Sequence, residues 1–181
     1  MIKLIMCEGP NEKEIIRLLL EHGKLKFKKE DLLGLVPFHA RQIDKSTQIK
    51  LYLNMYTGSE KIEVLRIGDK LSDALKIPKE YKDKINSDTI RKYCTKPKLE
   101  MLLIISENMV NEFNKDKSII SPKKFAKQNI KHNGVKYDNR TKFYTDYFGK
   151  NISVLVESIK EYKRIKKSHE KDEFYLADLL K

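Results

Sequence analysis

Apolar residues fall along this chain first in short continuous runs and later in helical stripes. Residues 2–7 form an apolar run closed by Glu8-Gly9-Pro10, which predicts a buried strand ending in a tight turn. Asn11 is then the expected N-cap of a helix whose apolar stripe is Ile15, Ile16, Leu18, Leu19 and Leu20 and which stops at Gly23. Strand, turn and helix within two dozen residues open an α/β unit. Residues 38–43 predict a second strand and 47–56 a helix ended by Thr57-Gly58. Residues 62–67, rich in Ile, Val and Leu, predict a third strand ending at Gly68-Asp69. A short helical segment is expected at 71–75, ahead of Pro78. Residues 98–113 read as one helix because Leu99, Leu102, Leu103, Val110 and Phe113 largely share a face, although 101–105 alone also suits a strand.

From about residue 115 the pattern turns helical. Ser121-Pro122 is a strong helix start, with Ser as N-cap and Pro in the first turn. Residues 141–148, 152–166 and 174–180 are further helical candidates, and there are no internal repeats. The expected organisation is an α/β core over residues 1–114 and a helical extension over 115–181 packed on it.

Composition adds a partner class. The 181 residues include 38 Lys and Arg against 26 Asp and Glu, a net charge of +12. Such an excess neutralises phosphates and releases counterions, which suits nucleic acid. A Lys-dominated excess also arises from codon bias in AT-rich genomes, so composition alone leaves both readings open. Cys7 and Cys94 are isolated, as expected of reduced thiols in a cytoplasmic protein. No secretory leader is expected at the N-terminus, and no window approaches the ~20 apolar residues of a membrane span. The histidines (His22, His39, His132 and His169) have no ligand spacing, which disfavours zinc.

Three places carry candidate chemistry. Glu8 lies directly after the first predicted strand, and Glu12 follows in the first helical turn. A carboxylate there projects into the crevice where open α/β sheets bind ligands, beside a helix N-terminus suited to phosphate. The plainer alternative is that both acids only favour the helix N-terminus electrostatically. Asp69 repeats the arrangement after the third strand, with Asp73 on the same face if 71–75 is helical. Clustered carboxylates raise one another's pKa unless a cation neutralises them, and hard oxygen donors suit Mg²⁺ or Mn²⁺. Against that, a Gly-Asp pair also serves simply as a turn. Glu100 sits in the apolar stretch Leu99 to Ile104, so it needs a partner, either a base such as Lys96 or a metal. Further on, Lys123, Lys124 and Lys127 interleave with Phe125, Tyr137, Tyr144, Tyr147 and Phe148. Stacking on single-stranded nucleic acid is one reading, while an aromatic core with a solvated Lys face is the commoner outcome.

The opening strand followed by Glu8-Gly9-x-x-Glu12 resembles the first motif of Toprim domains. These occur in topoisomerases, primases, OLD-type nucleases and the ribonuclease that matures small ribosomal RNA. Cys7-Glu8-Gly9-Pro10-Asn11-Glu12, with Pro97-x-x-Glu100-Met101-Leu102-Leu103, is similar within that superfamily to RloB-like and related phage-defence proteins. The resemblance covers residues 1–107. It implies a Toprim-like, Rossmann-like, mostly parallel sheet and a nuclease or nucleic-acid-processing activity, in phage defence or a mobile element.

By the same resemblance, Mg²⁺ or Mn²⁺ would bind Glu8 and Asp69, with Asp73, Glu100 or Glu12 completing the shell. Glu8 is alternatively a general acid or base, and Arg66, Lys70, Lys96 and Lys98 would hold the DNA or RNA backbone. The sequence departs from the family where an Asp-x-Asp is usual: Ile67 stands at the first Asp if Asp69 is the second, and Met101 replaces an aromatic. That departure supports a rival reading, a non-catalytic nucleic-acid- or protein-binding module on a degenerate Toprim scaffold. A third reading is one subunit of a larger defence complex.

Overall fold

The computed structural model describes residues 1–166 and 171–181. His169 and the middle of the charge-dense stretch 163–171 lie outside the described residues.

Five parallel strands form one sheet in the order β2-β1-β3-β4-β7, where β1 is Lys3–Cys7, β2 Phe38–His39, β3 Ile62–Gly68, β4 Ile85–Cys94 and β7 Glu173–Tyr175. Among the described residues there are seven α-helices: α1 (Pro10–Glu21), α2 (Thr47–Met55), α3 (Met101–Ser106), α4 (Val110–Asp116), α5 (Pro122–Asn129), α6 (Thr141–Phe148) and α7 (Ile152–Ile165). A two-stranded ribbon, β5 (Lys131–His132) and β6 (Val135–Lys136), lies between α5 and α6. The architecture is a Rossmann-like α/β fold with a mainly helical C-terminal part.

Alternation along β1 sorts its side chains onto two faces, as the two-residue period of a strand requires. Ile5 and Cys7 join the larger core, with Ile15, Ile16, Leu18 and Leu19 of α1 and the apolar sides of α3, α6 and α7. Leu4 and Met6 join the smaller one, with Phe38, Ile43, Ile49, Leu53 and Val64. Helices thus cover both faces, which is why β1 is apolar from Leu4 to Cys7 and β3 is buried along its whole length, with Glu63 and Arg66 as its buried charges. The chain runs from β1 outward to β2, then crosses back to place β3 on the other side of β1. The β1/β3 boundary is therefore the topological switch point, where a crevice opens beyond the carboxyl ends of the strands.

The structure amends several sequence expectations. The N-cap of α1 is Gly9, one residue before Pro10, and Asn11 lies inside the helix. Its side chain binds the chain near α6, donating to the Asn139 carbonyl at 3.2 Å and accepting from Thr141 Oγ1 at 3.0 Å. Residues 71–75 are loop, so Asp73 shares no helical face with Asp69. The predicted helix 98–113 is broken into α3 and α4 at Asn108, which has φ +57°. Residues 174–180 are not an α-helix. Glu173–Tyr175 joins the sheet as β7 beside β4, and Leu176–Leu179 is a 3-10 turn.

Strand β4 had no sequence forecast. Ile62 pairs with Ile85 and Val64 with Ile90, so the polar residues 86–89 bulge out of register and hide the strand pattern. The Ser121 cap and the bounds of α6 agree with expectation, as does α7 to within a residue. No helix among the described residues is long and apolar enough to cross a membrane.

Candidate functional site

The register lines up four strand ends. Cys7 pairs with His39 on one side and with Ile67 on the other, and Gly68 pairs with Cys94. The ladder runs one step past the strands: Glu8 N donates to Ile67 O at 2.8 Å and Thr95 N to Gly68 O at 2.9 Å. Glu8, Asp69 and the segment from Thr95 to Glu100 therefore meet at the carboxyl edge of the sheet, with Glu8 and Asp69 flanking the switch point.

Glu8 is 8% exposed. Its Oε2 accepts from Lys70 N at 2.7 Å. Its Oε1 lies 2.8 Å from the Arg41 guanidinium but makes no hydrogen bond, so that contact is an ion pair whose N–H is not aligned on the oxygen. Thr95 Oγ1, at the same edge, is likewise buried without a hydrogen-bond partner. Gly68 makes the arrangement sterically possible, since a Cβ there would stand 2.4 Å from Glu8 Oε2 and 2.5 Å from Glu8 Cβ. Gly9 has the same function for Glu12: its own φ of −134° is open to any residue, but a Cβ would stand 2.6 Å from Glu12 Oε2.

Glu12 is surrounded by the other acids. Burial pushes its carboxyl up to about 7 against the opposing pull of a hydrogen bond from its own backbone, and the charges of Asp69, Glu8 and Glu100 push it further. The start of α1, which the sequence offered to phosphate, thus already carries a carboxylate of its own. Asp69 pairs with Lys98, and that bond, opposed by partial burial, raises the Lys98 ammonium, helped by the charges of Asp69, Glu100 and Glu8. Glu100, 4% exposed, accepts from Tyr137 Oη at 2.8 Å. With its nitrogen turned toward acceptors, the Asn139 amide donates to Glu100 Oε1 at 3.3 Å and to Tyr137 Oη at 3.1 Å. Its oxygen then accepts from Lys123 Nζ at 3.1 Å. Because the Tyr137 proton goes to Glu100, Tyr144 donates to Tyr137 at 3.1 Å, and the phenol is fully satisfied. Burial and the Glu100 charge raise the Tyr137 phenol well above its ordinary value, so it remains a donor.

Four of the five acids singled out in the sequence, Glu8, Glu12, Asp69 and Glu100, are brought together. The fifth, Asp73, is not among the charges that perturb Glu12. It instead lines a small pocket with Glu8, Arg41, Arg66 and Lys70, and its carbonyl accepts from Arg66 Nη1 at 2.6 Å. Arg66 is 3% exposed, and its guanidinium sits between the 69–78 loop and the Glu8 charge. Lys96 does not serve Glu100; it pairs with Glu173 at 2.7 Å and ties β7 to the strand-end loop. Lys98 lies at the site, while Lys70 contributes its backbone N–H and an exposed side chain. Arg41 and Asn139 escaped sequence reasoning, and Lys123 and Tyr137 figured there only in the basic and aromatic stretch, because each reaches the carboxylates by tertiary packing.

Among the described residues no three acidic, His or Cys side chains converge into a ready metal shell, since Asp69 turns to Lys98 and Glu8 to Arg41 and Lys70. The donor chemistry nonetheless fits a hard divalent cation: the donors are all carboxylate oxygens, and one buried oxygen, Glu8 Oε1, lacks a hydrogen bond. No family model matches this chain, and no curated protein or solved structure matches it.

Proposed function

We propose that this chain is a Toprim-like, divalent-cation-dependent enzyme that cleaves or processes DNA or RNA phosphodiesters. The observation that carries the reading is charge imbalance at a preorganised edge. Glu8, Asp69 and Glu100 all lie close enough to Glu12 at the switch of the sheet to raise its carboxyl, with Lys98, Arg41 and Arg66 as the cations beside them. Carboxylates crowded at that edge, with Arg41, Arg66 and Lys98 as the cations nearest them, leave a negative pocket that Mg²⁺ or Mn²⁺ would suit. Glu8 and Asp69 would hold the ion, with Glu12 or Glu100 nearby. When bound, it would polarise a phosphodiester oxygen and stabilise charge developing at phosphorus.

The remaining work belongs to the protein. The Lys70 N–H fixes Glu8, and Gly68 leaves it room. Tyr137 and Asn139 hold Glu100. Lys98, now on Asp69, is a cation within reach of an incoming phosphate.

A second reading rests on those same pairings. The Asp69–Lys98 and Glu8–Arg41 pairs, with Ile67 at the first position of the usual Asp-x-Asp, suit a binding module that keeps the scaffold without catalysis. Cleavage of labelled DNA and RNA with Mn²⁺, for the wild type, Glu8→Gln and Asp69→Asn, separates the two. The enzyme reading expects cation-dependent cleavage that falls on the order of 10²–10³-fold in either variant, the cost of losing one preorganised charge. Full activity in Glu8→Gln, or wild-type cleavage unaffected by chelator, would overturn it.

A further inference from the structure

We infer that the ribbon β5–β6 and helix α5 form a docking surface for the phosphate backbone of a nucleic acid and lead it to the carboxylate edge. The inference rests on reading that edge as a phosphodiester site and assigns the binding surface to a part of the chain outside it.

The first observation is charge density. Residues 121–150 hold eight Lys and Arg against two acids, a net +6 in thirty residues and half the net charge of the chain. Arg140 and Lys142 are neutralised locally by Asp138 and Asp146. The other six cations, Lys123, Lys124, Lys127, Lys131, Lys136 and Lys150, make no ion pair among the described residues, and all but the half-buried Lys123 are exposed.

The second observation is cross-strand placement. Lys131 and Lys136 are direct partners in the ribbon, which turns through Asn133 and Gly134 at φ +48° and +79°. Like charges opposite one another on a ribbon are unfavourable, and no acid on the ribbon relieves this pair. An anion lying across the ribbon would.

The third observation is continuity. Tyr137 follows β6 directly and donates to Glu100, while Lys123, in the first turn of α5, reaches the Asn139 amide that also binds Glu100. The same short segment thus touches the carboxylates at one end and carries unpaired lysines at the other. A cluster of acids repels a polyanion, so a strand reaching it needs flanking cations to offset that repulsion. An acidic protein would satisfy the lysines equally well but would gain nothing from lying beside the carboxylates. That favours nucleic acid.

The test is fluorescence anisotropy with short labelled DNA and RNA, single-stranded and duplex, in chelator, so that binding is read without cation or turnover. The proteins are the full chain and the variants Lys131→Glu/Lys136→Glu, Lys123→Ala/Lys124→Ala/Lys127→Ala and, as a charge control, Lys79→Glu/Lys82→Glu. Far-UV circular dichroism checks that each folds. The ribbon variant should weaken binding at least about tenfold and lower the slope of log affinity against log salt by about 1–2, following the loss of two phosphate contacts. The control should bind as the wild type does.

Equal loss in the control, no loss in the ribbon variant, or no binding by the wild type would overturn the inference. So would polyglutamate competing as well as nucleic acid at equal charge, which would identify an acidic protein as the partner. Glu8→Gln separates this inference from the reading it rests on: if it binds normally while cleavage is absent from every protein, the enzyme reading fails and the docking surface stands.

Discussion

The carboxylate edge and the Lys-rich segment 121–150 are opposite solutions to holding charge on a protein. At the edge, Glu8 and Glu100 are buried, and hydrogen bonds and ion pairs fix each of them: Lys70 N–H and Arg41 on Glu8, Tyr137 and Asn139 on Glu100. On the segment, five lysines are exposed and have no ion-pair partner among the described residues. Buried charge needs partners to exist at all, because desolvation is expensive. Solvated charge needs none and stays available to a mobile polyanion. The difference teaches where to look for rigid chemistry and where to look for adaptable binding, and Tyr137 joins the two.

The comparison breaks most visibly at Glu12. Its carboxyl is raised to about 7 in the folded chain from about 4.5 when unfolded. A raised pKa means the folded state holds the proton more tightly, so the contribution to stability is full below about 4.5 and is lost as pH rises through about 7. The shift corresponds to at most roughly 3 kcal/mol. Urea melts of the cation-free protein at successive pH values should show that loss between about pH 4.5 and 7, with no further change above, and Glu12→Gln should remove it. A variant that follows the wild-type curve would mean Glu12 is not crowded by its neighbours.

Removing one partner of a buried charge is the next largest effect. Tyr137→Phe leaves Glu100 with Asn139 alone and should cost about 2 kcal/mol, the usual worth of a hydrogen bond to a charged group. Denaturant midpoints would show it, and an unchanged midpoint would mean that water replaces the phenol.

On the solvated side the expected effect is small and of the opposite sign. Lys131→Glu replaces a like-charge cross-strand pair with an opposite-charge one and should stabilise the chain by about 0.2–1 kcal/mol. The same variant should weaken polyanion binding. A thermal melt that falls instead would show that the two lysines do not repel across the ribbon.

The strand ends were legible in the sequence for a physical reason. A parallel strand buried on both faces is rich in apolar residues, so Glu8 and Asp69 stand out as the acids that directly follow the strand ends at Cys7 and Gly68. Glu100 was legible by contrast, as one acid among apolar neighbours, although its partner was not: Lys96 is near in sequence, but Tyr137 is the group that reaches it. The pairing of Asp73 with Asp69 on one helical face failed because residues 71–75 are loop, and Asp73 comes beside Glu8 and Arg66 instead. Strand β4 was hidden by the polar bulge at 86–89. Strand β7 was hidden because three residues pairing with a distant strand leave no periodic signal, and Lys92–Asp172 and Lys96–Glu173 help to hold it there. What the sequence withheld were partners distant along the chain.

The measurement that tests the central claim most directly is a calorimetric titration of the chain with Mn²⁺, for the wild type and for Glu8→Gln and Asp69→Asn. The account predicts saturable binding of Mn²⁺ at one site, at least about tenfold weaker in each variant, as expected when a carboxylate ligand is lost. Absence of binding by the wild type, or equal binding by all three proteins, would contradict it and leave the edge as a set of structural ion pairs.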